Sequence, residues 1–129
     1  MVQIEAVDAV ATQLVDAALQ VHRAVGPGIL ESAYHACLIF ELQHRGLRVQ
    51  TNVELPIIYR EHRIRVGYRV DLIVENIVIA ELKAVPKLLP IHEAQLLTYL
   101  RLSRVRVGFL LNFHAPLMKE GIKRMINGW

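Results

Sequence analysis

The decisive stretch of this sequence is VIAELK, residues Val78 to Lys83, an apolar strand that carries two charges. Side chains of a strand alternate between its two faces, so Glu81 and Lys83 point to the same side. A strand covered on both faces should be almost continuously apolar. These charges must therefore be paired, solvated in a cleft or bound to a ligand. The alternative is an edge strand with a solvated face, because edge strands commonly carry lysine.

A second apolar strand lies directly upstream and contains one acid, Asp71. We expect the two strands to form a hairpin. A three-residue loop, 75–77, places Asp71 directly opposite Glu81, with Cβ atoms about 5 Å apart. Two carboxylates at that distance repel each other unless a cation lies between them, and one oxygen from each can bind a single Mg²⁺. A two-residue turn, 75–76, would instead put Asp71 opposite Ala80, on the wrong face.

The third charged residue of this pair of strands is Lys83, one step beyond Glu81 on the same face. It is placed to hold a water or hydroxide, or to stabilise the charge that builds up on a phosphate in the transition state. A simple counter-ion role for Glu81 is the alternative. Two acids, a divalent ion and a nearby ammonium suit phosphodiester hydrolysis, because the metal polarises the phosphate and lowers the pKa of the attacking water.

The rest of the sequence predicts helices and strands around this hairpin. Apolar residues recur at helical spacing or in extended runs, and glycine, proline or polar groups separate the segments. The predicted elements are helices at 6–25 and 29–45, strands at 50–59, 64–74 and 77–83, a helix at 91–102, a strand at 105–113 and a final short helix at 116–126. A three-strand meander and a helical crossover bring the fourth strand back in parallel. We expect an α/β fold with a mixed four-stranded sheet flanked by helices.

Length and composition limit the possible classes of protein. The chain has 129 residues, of which 53% are apolar and 21% charged, and this predicts one domain over 1–129. No apolar stretch reaches the roughly 20 residues that cross a bilayer, and the N-terminus lacks the basic segment of a secretory signal. We expect no membrane contact and a cytoplasmic location. Cys37 is the only cysteine, which excludes an internal disulfide and cysteine-based zinc sites.

Positive charge is unevenly distributed. The formal net charge is +3, which is compatible with a polyanionic partner but does not identify one. The arginines concentrate in 60–69 (REHRIRVGYR) and in 101–106 (RLSRVR). These clusters predict a face that binds nucleic acid. Solvated strand edges and helix ends are the alternative, since basic residues there discourage edge pairing.

Several motifs in this order resemble a known superfamily. Asp71 followed by Glu81-Leu82-Lys83 resembles the D…(D/E)xK signature of the PD-(D/E)xK, or restriction-endonuclease-like, nucleases. QLLTY, at 95–99, looks like the QxxxY motif of the RecB-type and lambda-exonuclease branch. GILESAY, at 28–34, reads as GxxExxY, and together with HEAQLLTYL and LLNF it resembles the bacterial family of small proteins named after that motif. The resemblance spans roughly 10–127. Val70 stands where many members have proline, at a position that varies.

The resemblance implies a complete site. The residues it implies as catalytic are Asp71, Glu81, Lys83, Gln95, Tyr99 and Glu31. Among these, Asp71, Glu81 and Glu31 correspond to metal ligands and Lys83 to the catalytic lysine, while Gln95 and Tyr99 support the substrate or the site. The implied cofactor is Mg²⁺ or Mn²⁺. The implied substrate is DNA, with RNA as the second choice.

Local physical chemistry offers other roles for the helical residues. Glu31 lies in the first turn of a helix, where the helix dipole favours an acid. Gln95 and Tyr99 are four residues apart and can be structural groups at a helix–sheet seam. The alternative function is a nuclease-fold module without catalysis that binds nucleic acid or a protein. A homodimer or a larger partner is also compatible with a chain too short to grip a duplex alone. No GxSxG, Walker, dinucleotide or HExxH motif supports a small-molecule hydrolase.

Overall fold

The computed structural model describes residues 3–128. Met1, Val2 and Trp129, which the predicted domain of 1–129 includes, lie outside the described residues. The elements in chain order are α1 (Ile4–Val25), α2 (Glu31–His44), β1 (Val49–Tyr59), β2 (His62–Val74), β3 (Val78–Lys83), α3 (Pro90–Ser103), β4 (Val107–Asn112), a 3₁₀ helix (Met118–Gly121) and β5 (Ile122–Ile126). Every helix and strand predicted before residue 114 is present, with ends shifted by a few residues.

The strands form one mixed sheet in the order β1-β2-β3-β4-β5. β1, β2 and β3 are an antiparallel meander, and the chain then crosses through α3 so that β4 runs parallel to β3. This part of the predicted topology is confirmed. The edge-strand alternative for β3 is wrong, because β3 pairs with β2 on one side and with β4 on the other. The pairing with β2 ends at Ala80, just before the two charges, but Glu81 is only 5% exposed and therefore does not lie on a solvated face.

The predicted final helix at 116–126 is wrong. The chain makes only one 3₁₀ turn there and then returns as β5, which pairs antiparallel with β4 from Leu111–Ile122 to Val107–Ile126. The sheet consequently has five strands where four were predicted. The physical reason is that β4 is buried and has one side without β3, so its backbone groups there need hydrogen-bond partners. A fifth strand supplies them along the whole element.

Gly121 is the residue that lets the chain make this return. A Cβ atom at this position would collide with the backbone carbonyl oxygen of Asn112, the last residue of β4. A backbone group cannot rotate away as a flexible side chain can. The close approach between the start of β5 and the end of β4 therefore requires glycine.

Helices cover both faces of the sheet. α1 and α2 pack on one face and form the first core cluster, in which Tyr34 and Phe113 stack with ring centroids 4.6 Å apart. α3 packs on the other face and forms the second core cluster around Leu96 and Leu100. β3 and β4 are buried from both sides, as expected for parallel neighbours in an α/β protein. Within 3–128, none of the helices has the length and apolar character needed to cross a membrane.

The close approach at Gly121 yields a stability prediction. Gly121→Ala should lower the free energy of unfolding by about 1–3 kcal/mol, because the added methyl group forces the backbone of β4 and β5 apart. Urea denaturation measures the change. Gly28→Ala is the matched control, since a Cβ at Gly28 meets nothing within 4 Å. A Gly121→Ala protein as stable as the Gly28→Ala protein would contradict this account of the β4–β5 turn.

Candidate active site

The β2–β3 hairpin has the three-residue register. Val74 pairs with Val78, and the ladder continues to Leu72 and Ala80. The loop at 75–77 begins with two residues of positive φ, as tight hairpin connections require. This is the register that the metal hypothesis requires, and the alternative two-residue turn is wrong. It places Asp71 and Glu81 at the next position along the ladder, where the backbone pairing of the two strands stops.

At that position the two carboxyl groups accept hydrogen bonds from backbone N–H groups that no longer pair with the opposite strand. Glu81 Oε1 accepts a hydrogen bond from the backbone N–H of Asp71 at 2.8 Å. In return, Asp71 Oδ2 accepts one from the backbone N–H of Leu82, also at 2.8 Å. Each carboxylate thus binds the partner strand's backbone. The two bonds fix both side chains in one place between β2 and β3.

The face that β2 presents changes at Asp71. Val70 packs in the core cluster under α3, whereas Leu72, two positions along, packs in the cluster under α1 and α2. A regular strand would direct both side chains to the same face. Asn52 lies opposite Asp71 in the β1–β2 register and has φ of 51°, a left-handed value that asparagine tolerates better than most residues. The irregularity lies at the position of the acid.

Glu81 is the most perturbed carboxyl group of this site. Its side chain is only 5% exposed, and burial, followed by the charge of Asp71, raises its pKa to about 8. The hydrogen bond from the backbone N–H of Asp71 and the charge of Lys83 act in the opposite direction. A buried carboxyl group beside a half-buried one forms a place where added positive charge would be strongly favoured.

α3 brings the next two candidates against the acids. Lys83 Nζ donates a hydrogen bond to Gln95 Oε1 at 3.3 Å. One helical turn further, Tyr99 is 5% exposed, and burial together with the charges of Glu81 and Asp71 raises its pKa. Its phenol therefore keeps its proton and is a hydrogen-bond donor. The structure brings together five of the six residues predicted for the site.

Glu31 is the sixth predicted residue, and it lies at the start of α2. It is the first residue of that helix and its side chain is exposed. One turn later on α2, His35 Nε2 lies 3.4 Å from the backbone carbonyl oxygen of Asp71. α2 therefore runs beside the acid of β2. Within residues 3–128 no group of three or more His, Cys, Asp and Glu side chains is arranged to hold a metal ion.

The donor set of the paired acids fits a hard divalent cation. Each carboxylate uses one oxygen in its backbone bond and has a second oxygen, and carboxylate oxygens are the ligands that Mg²⁺ and Mn²⁺ prefer. The raised pKa of Glu81 is consistent with a cation site, since a cation between Asp71 and Glu81 would relieve the repulsion that burial strengthens.

Asn112 is a residue of the site's framework that the sequence analysis did not single out. It is 4% exposed at the end of β4, beside Lys83 in the parallel ladder. Its Oδ1 accepts from the backbone N–H of Val85 at 3.1 Å, and its Nδ2 donates to the carbonyl of Val85 at 2.9 Å. The side chain thus continues the ladder past its last pair and holds the chain just after Lys83. A polar residue ending an apolar strand was the available signal.

A mixed sheet with helices on both faces and D…ExK on its central hairpin defines the restriction-endonuclease-like class of α/β proteins. The family model described as the PD-(D/E)XK nuclease superfamily matches residues 8–125, so the chain belongs to that superfamily. Comparison with curated proteins and with solved structures gives no match. PD-(D/E)XK nucleases typically use divalent metal ions, and membership implies binding of nucleic acid.

The buried carboxyl pair predicts a pH-dependent gain in stability from Glu81→Gln. The pKa of Glu81 is about 8 in the folded protein, against 4.5 ordinarily, so the folded state retains a proton that the unfolded state has lost between these values. Stability of the metal-free wild type therefore falls as pH rises through this window. Glutamine does not titrate and its amide oxygen can still accept from Asp71. Its advantage should reach a few kcal/mol at pH 9 in EDTA and shrink towards pH 5.

Urea denaturation at pH 5, 7 and 9 measures this difference. Glu120→Gln is the control, because it removes an exposed carboxylate and should change stability by no more than about 0.5 kcal/mol. A Glu81→Gln advantage that stays constant across the pH range would refute the assignment of a proton to the buried pair.

Asn112→Asp tests the framework behind Lys83. The substitution keeps the size of the side chain but sets a carboxylate oxygen against the carbonyl of Val85, so we expect a loss of about 1–3 kcal/mol in unfolding free energy. Asn76→Asp, in the exposed hairpin turn, is the control and should be nearly neutral. Thermal unfolding at pH 7 measures both. Equal stabilities of the two variants would show that the Asn112 clamp is not needed.

Proposed function

We propose that this protein is a Mg²⁺- or Mn²⁺-dependent nuclease that hydrolyses phosphodiester bonds of DNA, with RNA as the second substrate. The observation that carries the proposal is the pair of reciprocal bonds by which Asp71 and Glu81 hold each other's strand. Those bonds keep the buried Glu81 beside the half-buried Asp71, and two acids so close together are unfavourable for the protein without a cation. A site of this kind suits a metal that acts on a phosphate.

The metal would be bound by the second oxygens of Asp71 and Glu81, with Glu31 as a third ligand from α2. When bound, it would polarise the phosphodiester and lower the pKa of the attacking water. Hydrolysis adds the water oxygen to phosphorus and breaks one ester bond, which leaves a phosphate monoester and a hydroxyl group. The position of His35 beside the Asp71 carbonyl supports the assignment of Glu31, because it brings the first turns of α2 next to β2.

The remaining residues act on charge and orientation. Lys83 lies on the face of Glu81, so its ammonium would stabilise the negative charge that builds up on the phosphate oxygens, or hold the attacking water. Gln95 orients that ammonium through the bond to its Oε1. Tyr99, whose raised pKa keeps its phenol protonated, would donate a hydrogen bond to the substrate or to the acids. In this proposal the acids bind the metal, Lys83 stabilises charge, Gln95 orients Lys83 and Tyr99 donates a hydrogen bond.

The GxxExxY motif supports a narrower assignment within the superfamily. We assign the chain to the family of small bacterial proteins named after GxxExxY, as one nuclease domain over 1–129. Tyr34, the last residue of that motif, is fully buried and donates a hydrogen bond to the carbonyl of Ala18 at 2.9 Å. This contact links α2 to α1 and supports a structural role for the motif tyrosine. The motif glutamate, Glu31, is the residue that we assign to the metal site. A homodimer or a larger protein partner would enlarge the surface available to DNA.

Cleavage assays with matched variants test the proposal. In Mn²⁺ the wild type should degrade plasmid and linear DNA, and EDTA should stop the reaction. Asp71→Asn keeps an oxygen for the Leu82 N–H, and Lys83→Met keeps the length of the side chain, yet each should reduce cleavage by at least a hundredfold. Mn²⁺ should also raise the melting temperature of the wild type and not that of Asp71→Asn.

Two results would contradict the proposal. Cleavage that survives in both variants would show that a different site, or a contaminant, acts on the DNA. Binding of DNA without any divalent-ion-dependent cutting would establish the alternative, a catalytically silent nuclease-fold module. Glu120→Gln, an exposed carboxylate on the 3₁₀ turn, is the control for a general effect of charge removal and should cleave as the wild type does.

A further inference from the structure

The β1–β2 hairpin extends far beyond the rest of the sheet. β2 pairs with β3 only from Leu72 to Val74, whereas its pairing with β1 continues to His62. We call the part of the hairpin beyond Asp71, residues 53–70, the hairpin arm. Most residues of the arm near its tip are exposed, and it carries the basic cluster of 60–69.

A bulge in β2 opens a pocket in the hairpin arm. Leu55 pairs with Tyr68 and the next pair is Ile57 with Ile64, so three residues of β2 face one residue of β1. Gly67, inside the bulge, has φ of 78°, a left-handed value that favours glycine. The opening holds about 170 Å³. This is the volume of about five or six water molecules in the liquid, which is enough for one phosphate group and part of its hydration.

Two arginines and one acid give this arm pocket its charge. Arg63, Arg65 and Glu54 all line it. Arg65 Nη1 lies 3.6 Å from Glu54 Oε2, but both side chains are largely exposed, and an exposed ion pair at this distance is weak. Arg65 is therefore available to a stronger acceptor at little cost. Two guanidinium groups around a small opening suit a phosphate, which accepts bidentate hydrogen bonds from arginine.

The arm pocket and the candidate active site are joined through two tyrosines. Tyr68 lines the pocket, and its ring meets that of Tyr99 edge-on with centroids 6.0 Å apart. Tyr68 is also only three residues before Asp71 on the same strand, a distance of about 10 Å along β2. Arg63 lies farther out, because it pairs with Ile58, six positions along β1 from the level of Asp71, and its backbone is therefore about 20 Å from that of Asp71. The arginines of the pocket and the acids of the candidate site are thus several nucleotides apart on one strand.

We propose that the arm pocket binds a backbone phosphate of the nucleic-acid strand whose scissile phosphate lies at Asp71 and Glu81, several nucleotides away. The inference rests on the proposed function, because it assigns a second anchoring point to the same substrate. It names Arg63 and Arg65 as the groups that hold the phosphate and Tyr68 as the wall towards the active site. The carboxylate of Glu54, which lies near Arg65, opposes binding of the phosphate.

Equilibrium binding without divalent ions tests the proposal independently of catalysis. The probe is a fluorescein-labelled 12-nucleotide single-stranded DNA, and anisotropy is measured in EDTA from 50 to 200 mM salt. The double variant R63Q/R65Q should bind roughly tenfold more weakly than the wild type. The slope of log affinity against log salt should fall in magnitude by about 1, because one phosphate contact is lost. E54Q should bind a few times more tightly.

The double variant R23Q/K119Q is the matched control. It removes the same charge from exposed residues beside Leu19 and Met118, in a pocket on the opposite face of the sheet. Its affinity should stay within about twofold of the wild type. Equal losses in the two double variants would overturn the proposal, since net charge alone would then explain binding. Absence of binding by the wild type would overturn it as well.

Two further comparisons distinguish free phosphate from a phosphate of the nucleic acid, and the arm pocket from the nuclease activity. Calorimetric titration with inorganic phosphate should give no binding at concentrations where the oligonucleotide saturates the protein; a phosphate affinity equal to that of the oligonucleotide would assign the pocket to a free anion and overturn the proposal. DNA cleavage by the wild type together with R63Q/R65Q binding like R23Q/K119Q refutes the arm pocket alone. The expected binding differences without any cleavage refute the nuclease activity and support the pocket.

Discussion

The exchange of backbone bonds between Asp71 and Glu81 is the interaction on which the rest of this structure depends. The β2–β3 ladder ends one residue before the acids, and strands that separate inside a covered sheet would leave N–H groups without acceptors. Each carboxylate supplies the missing acceptor to the opposite strand. The opening of the sheet and the position of the acids are therefore one feature.

The closeness of Asp71 and Glu81 is electrostatically unfavourable for the folded protein. Burial and mutual repulsion raise the pKa of Glu81, and the backbone hydrogen bond from Asp71 and the neighbouring positive charge lower it only in part. Lys83 supplies part of that charge, but its ammonium also bonds to Gln95 on α3. Two neighbouring acids repel each other and do not stabilise a fold, so their presence on adjacent strands is explained better by function than by stability. The family match and the geometry agree in this respect.

The hairpin and the faces of its strands were predictable because they depend on local information, whereas the sequence left two turn lengths open and only the metal hypothesis favoured the observed register. Alternation of apolar and polar residues set the faces of β3, and the length of the loop at 75–77 set which residues lie opposite. The change of face at Asp71 was not predictable, because it arises from paired irregularities in two strands that only the fold brings together, at Asn52 and Asp71. The contact between Lys83 and Gln95 likewise needed the position of α3 on the sheet.

The last segment shows the limit of periodicity more clearly. Ile122, Met125 and Ile126 are spaced three and four apart, which is the pattern of a helix face. The same segment also suits a short edge strand, and residue spacing over five positions cannot separate the two. The open side of the buried β4 decided the outcome, and that side is created by residues far away in the chain. Asn112 was overlooked for a related reason, because its role depends on where Val85 returns.

The unequal pairing of β2 connects the fold to its use. β2 shares nine pairs with β1 but only three with β3, and Asp71 stands where the pairing with β3 ends. From Asp71 to Val74, β2 belongs to a sheet that is covered by helices on both faces. From His62 to Val70, only β1 pairs with the strand. One strand therefore carries a half-buried acid held between β2 and β3 and, about 20 Å away at Arg63, arginines exposed to solvent. A long, charged polymer can be held by the exposed part of such a strand while the buried part acts on one of its bonds, which a compact small-molecule site would not require.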